Sequence, residues 1–161
     1  MINPSVEPLY TTSLEEVFWG VILVGITMAM HGFGMMAVLR VNHAVKNWFK
    51  RKTGIVSGLF PVILASWMIM LVHLTEVGVW AMFFLWQGAF PNRSLAYYFS
   101  LNEYTTVGSN FNLPLPWRLL EGMIATAGLL TFAWSTGILI TLAQEFQEQR
   151  MQLFKQRHGQ E

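Results

Sequence analysis

The 161-residue chain contains no cysteine and little charge, with Asp, Glu, Lys and Arg together making up 12%. Without cysteine there is no disulfide, no thiolate metal site and no cysteine nucleophile. A soluble domain carries roughly a quarter of its residues as charges, so this depletion points away from an aqueous surface. The net charge of +1 gives no basic footprint for nucleic acid. No internal repeat and no low-complexity tract interrupts the chain. No lysine or arginine precedes the first apolar run, and that run is too long for the core of a signal peptide, so it reads as a retained helix.

What the chain has is apolar sequence, 53% of it. Three stretches are long enough to cross a bilayer core, which takes about 20 apolar residues. The first runs over 17–39 and contains one ionisable residue, His31. The second covers 55–86, with Pro61, His73 and Glu76 inside it. The third covers 118–143, with Glu121 near its start. Eight of the ten Lys and Arg residues fall between the first two spans (Arg40, Lys46, Lys50, Arg51, Lys52) or in the tail (Arg150, Lys155, Arg157). The positive-inside rule then places the N-terminus and the 87–117 segment outside, with the 40–54 loop and the 144–161 tail in the cytoplasm. Trp80, Trp86, Phe90 and Trp117 are expected in the outer aromatic belt, Trp48 and Phe49 in the inner one. The basic loop "KNWFKRK" suits anionic lipid head groups.

Between the second and third spans lies "NRSLAYYFSLNEYTTVGSNFNLPLPW". Its 94–104 part has helix formers and a helix start at Arg93–Ser94, followed by residues that favour extended backbone and a Pro-containing return. Such a helix is about half a bilayer long. Non-helical backbone at membrane depth is tolerated only where protein buries it or where it lines water. The segment is therefore either an external loop or a re-entrant one.

"YYFSLNEYTTVG" resembles the pore helix and selectivity filter of the tetrameric potassium-channel superfamily, and "WRLLEGMIATAGLLTFAWSTGIL" is similar to its inner helix. With "HLTEVGVWAMFF", the stretch over about 66–143 looks closest to small bacterial ion-channel proteins that carry one helix ahead of the two-helix pore unit. The resemblance implies an all-α transmembrane fold: a peripheral span, then a pore domain over 55–143, then a cytoplasmic helical tail. It implies a homotetramer that conducts monovalent cations, potassium and sodium being permeant species, in a bacterial inner membrane. It assigns the filter to Thr105, Thr106, Val107 and Gly108, whose backbone oxygens would replace the water of a cation. It directs Leu129, Phe132, Thr136 and Ile140 to the inner cavity and gives Gly128 the role of a gating bend. After TTVG the family continues Tyr-Gly-Asp, whereas this chain has Ser109, Asn110 and Phe111, so a wider outer vestibule and weak selectivity against sodium are expected. The alternative is a non-conducting interaction subunit of a larger membrane complex.

His73 and Glu76, three apart, share a helical face. They read as a proton sensor, as metal ligands, or as a pair bracing the second span against the pore helix near Tyr98 or Asn102. His31 reads as a packed core histidine. Glu103 either lines the outer approach or pairs with Arg93 or Arg118. Gly20, Gly25, Gly32 and Gly34, and Gly54 with Gly58, read as close-packing positions. Four histidines are too few ligands for a membrane di-metal enzyme; no enzymatic activity, cofactor or resident metal is expected.

Overall fold

The computed structural model describes residues 10–49 and 55–158 and is all helical there. Four helices follow in order: α1 (Leu14–Phe49), α2 (Ile55–Trp86), α3 (Arg93–Tyr104) and α4 (Leu119–His158). α1, α2 and α4 are each long and apolar enough to cross a membrane, and the chain is an integral membrane protein by that criterion. Lys50, Arg51, Lys52 and Gly54 of the basic loop, and residues 1–9 of the N-terminal segment, lie outside the described residues.

α1 begins with a capping box. Ser13 Oγ accepts the Glu16 N–H at 3.1 Å, and the Glu16 carboxylate accepts the Ser13 N–H at 3.1 Å. The same carboxylate, fully buried, also accepts the Leu119 N–H at 3.0 Å. One glutamate therefore satisfies backbone donors at the starts of both α1 and α4. α3 starts at the expected pair, with Asn92 as its cap. The Asn92 side chain accepts the Leu95 N–H at 2.9 Å. α4 carries straight through the expected end of its span to His158, so the tail is a continuation of it. Where the two long helices emerge on the loop side, Lys46 pairs with Glu145 at 2.5 Å.

Lipid is as apolar as leucine, so close packing rather than escape from water must hold these helices together. Two apolar cores do this. The larger is aromatic and lies around α3: Trp80, Phe84, Phe90, Phe99 and Tyr104 are buried there with Leu120 and Ile124. The smaller joins Met35, Val38, Ala65, Ile69 and Leu142. Gly34 lets α1 press against α2, because a Cβ there would lie 2.7 Å from a Val72 methyl. Gly25 faces open space instead.

Two expected belt residues belong to the interior. Trp80 is fully buried and donates its indole N–H to Thr27 Oγ1 at 3.0 Å. Phe90 stacks on Phe99, ring centroids 4.8 Å apart. A buried indole needs a partner for its N–H, and Thr27 supplies one inside the bundle. Trp86 remains on the outside.

Candidate functional site

α3 is short, sits between two long helices and ends at Tyr104, directly before the TTVG stretch. Its C-terminus is closed by a Schellman turn. The Thr106 N–H donates to the Glu103 carbonyl at 3.0 Å and the Val107 N–H to the Asn102 carbonyl at 3.0 Å; Gly108 N–H follows onto Asn102 at 3.2 Å. Thr106 has φ of 60° and Gly108 of 78°. Glycine adopts that backbone freely, but a β-branched residue there is held at a cost of about 1–2 kcal/mol.

This turn fixes where the carbonyls point. All peptide bonds here are trans, and in a planar trans peptide the C=O lies opposite the N–H. The N–H groups of 106, 107 and 108 aim back at the end of α3, so the carbonyls of Thr105, Thr106 and Val107 aim away from it. Thr106, Val107 and Gly108 are exposed, and Val107 is 75% exposed. Beyond them the backbone turns inward: the Ser109 N–H donates to Glu103 Oε1 at 3.0 Å, and Ser109 Oγ to the Phe111 carbonyl at 2.8 Å. Asn110 is exposed. Glu103 pairs with neither Arg93 nor Arg118, because the Ser109 N–H lies within reach and satisfies it. Burial pushes its carboxyl above the usual range, against that hydrogen bond.

On α4, Leu129, Phe132, Thr136 and Ile140 recur at helical spacing and are exposed in the single chain. Gly128 is elsewhere. It is buried against α3, and a Cβ on it would lie 1.9 Å from the Tyr104 carbonyl oxygen. The chain needs glycine here for the close approach of α4 to the end of α3.

Below that contact, five side chains from four helices form a closed ring. His31 Nδ1 lies 3.0 Å from Glu76 Oε1. Glu76 Oε2 accepts the Tyr104 hydroxyl in a very short hydrogen bond. Tyr104 Oη is 3.0 Å from His73 Nδ1, and His73 Nε2 is 3.0 Å from Ser135 Oγ. Ser135 Oγ closes the circuit at 3.2 Å from His31 Nε2. Thr131 Oγ1 adjoins Tyr104 at 2.6 Å and reaches the Ala127 and Gly128 carbonyls. All five ring members are buried, and Phe132 stacks on His73 with centroids 4.5 Å apart.

The expected pair His73 and Glu76 is thus brought together and does meet α3, but at Tyr104. Tyr98 is half exposed, and the Asn102 side chain donates to the Tyr98 carbonyl within its own helix. Nor is His31 merely packed: it supplies one link of the ring from α1. The hydroxyls of Tyr104, Thr131 and Ser135 were not legible as partners. The one sequence signal is for Thr131 and Ser135, polar residues one turn apart inside an apolar span; Tyr104 lies outside the spans and carries none.

Comparison of the chain with protein-family models, with curated proteins and with solved structures finds no match.

Proposed function

We propose that the chain is one subunit of a homotetrameric pore-loop channel for monovalent cations, with potassium only weakly preferred over sodium. Four copies of 105–108 surround the axis. α4 lines the inner cavity with Leu129, Phe132, Thr136 and Ile140, and α1 packs outside α2. The orientation is N-terminus outside and C-terminus in the cytoplasm of a bacterial inner membrane, as the lysine and arginine distribution requires. The observation that carries this reading is the turn after α3. It directs three successive carbonyls away from the protein body while using every intervening N–H on the helix end. A row of outward carbonyls with no hydrogen-bond partner among the described residues is what a dehydrating cation requires. The C-terminal end of α3, negative by its dipole, faces the same side.

One observation favours a second reading, a non-conducting pore-loop subunit within a larger membrane complex. Residues 109–111 fold onto Glu103 and onto themselves, so the carbonyl row is short.

The test is flux. Purified full-length protein in liposomes is expected to discharge a potassium gradient and to run as a tetramer in detergent. Gly108→Val is expected to abolish flux while the tetramer persists, because valine is a severe outlier at φ of 78°. A tetramer silent for every monovalent cation, or a monomer that assembles only with other chains, leaves the scaffold reading.

A further inference from the structure

The ring His31–Glu76–Tyr104–His73–Ser135 has five links, and each member stands between two others. A hydrogen bond needs one proton on its link. Two protons on one link collide, and none leaves two lone pairs facing each other at about 3 Å. Five links therefore call for five shared protons. In water near pH 7.5 the same side chains hold four: one on each imidazole, one on each of the two hydroxyls and none on the carboxylate, given about 4.3 for glutamate and about 6.5 for histidine.

We infer that this ring is a proton-binding site that retains one proton more than its residues would hold in water at neutral pH, and that the retained proton locks the end of α3. The bookkeeping is the same wherever the proton sits. Whether Glu76 carries it as the acid, or either histidine as imidazolium beside the carboxylate, each arrangement fills all five links and sums to zero charge. A charge of either sign inside the bundle would be costly, which favours the five-proton state over four or six. The titratable groups facing the ring are its own members: His31 from α1, His73 and Glu76 from α2, and Tyr104 from α3. α4 brings only the hydroxyls of Ser135 and Thr131. Because Tyr104 is the last residue of α3, the ring sets where 105–108 begins.

A metal ion is the competing occupant, since His31, His73 and Glu76 offer ligand atoms within 4.8 Å of one another. Tetrahedral bonds of about 2.1 Å would set such atoms about 3.4 Å apart and displace the link protons. The observed distances instead suit hydrogen bonds on every link.

The experiment is equilibrium unfolding of the full chain in detergent from pH 5.5 to 8.5, wild type against Glu76→Gln. An amide fills the same five links, donating to Tyr104 and accepting from His31, but carries no titratable proton. The unfolded wild type releases the carboxyl proton above about pH 4.3, whereas the folded ring keeps it. A proton bound only in the folded state contributes stability that fades as pH rises. The wild-type unfolding constant relative to that of Glu76→Gln is therefore expected to grow tenfold per pH unit. A ratio constant with pH would overturn the inference. Should the variant not fold, the wild type alone decides: between pH 7.5 and 8.5, where the imidazoles of an unfolded chain are neutral, its unfolding constant is expected to grow about tenfold, and a constant value would overturn the inference. One metal ion per chain in elemental analysis would overturn it as well. None of these readouts depends on conduction, so a silent channel leaves the inference standing.

Discussion

Gly128 and Gly137 lie nine positions apart on α4 and meet opposite surroundings. A Cβ at 128 would strike the Tyr104 carbonyl, which is backbone at the end of a pinned helix and has nowhere to go. A Cβ at 137 meets no described atom within 4 Å. Gly128→Ala is therefore expected to force α3 and α4 apart and lower stability by about 1–3 kcal/mol, the usual range for overpacking. Gly137→Ala should change the single-chain stability by less than about 0.5 kcal/mol, as for substitutions away from packed features. Thermal unfolding of both variants in one detergent checks the contrast. If Gly128 served only as a flexible point in the helix, the two alanines would behave alike. The same logic identifies Thr106 as a strained residue: threonine at φ of 60° carries a penalty glycine would not.

The helices are joined end to end by few but concentrated contacts. Glu16 shows this best, since its carboxylate receives the Ser13 N–H, the Leu119 N–H and the Tyr10 hydroxyl. Glu16→Ala removes the reciprocal bond of the α1 capping box and takes the acceptor from the half-buried Leu119 N–H. Each lost bond is worth about 0.5–1.5 kcal/mol, so a loss of about 1–3 kcal/mol is expected in thermal unfolding. Glu15→Ala, on an exposed neighbour, should cost little. The outer end of α2 and the start of α3 were legible in the sequence because hydropathy and the Arg93–Ser94 start are local signals. The Ser13–Glu16 box is local too, but its second use on α4 is not: Leu119 lies 103 positions away. The ring fails to show for the same reason. His31 and Ser135 are 104 residues apart, and a lone histidine in an apolar run carries no mark of the partner it will meet. His73 and Glu76 could be paired by eye only because one helical turn separates them. Trp80 misled as a belt residue because its partner, Thr27, is on another helix.

At the scale of the whole molecule, much of the single chain's apolar surface is unpartnered, and it includes the α4 face of Leu129 and Ile140 and the exposed Val107. In the proposed tetramer this face and the 105–107 carbonyls turn to a common axis. Orientation is checked by labelling: cysteine at Asn112 is expected to react with an impermeant reagent from outside, and cysteine at Asn47 only from the cytoplasmic side. In the proposed tetramer, selectivity would follow from how many carbonyl rings stand in series. Thr105 to Val107 direct three, after which Ser109 bonds Glu103 and the row stops. If a row this short favours potassium over sodium by order 1 kcal/mol in all, where 1.4 kcal/mol is tenfold, it separates the two ions only modestly. A permeability ratio within about tenfold is expected. The triple change Ser109→Tyr, Asn110→Gly and Phe111→Asp restores a second glycine where asparagine bears a backbone cost. It should extend the row and raise the potassium preference in bi-ionic potential measurements. A wild type that already rejects sodium a hundredfold would show that selectivity does not depend on row length. A triple variant that leaves the ratio unmoved would show that residues 109–111 lie off the ion path.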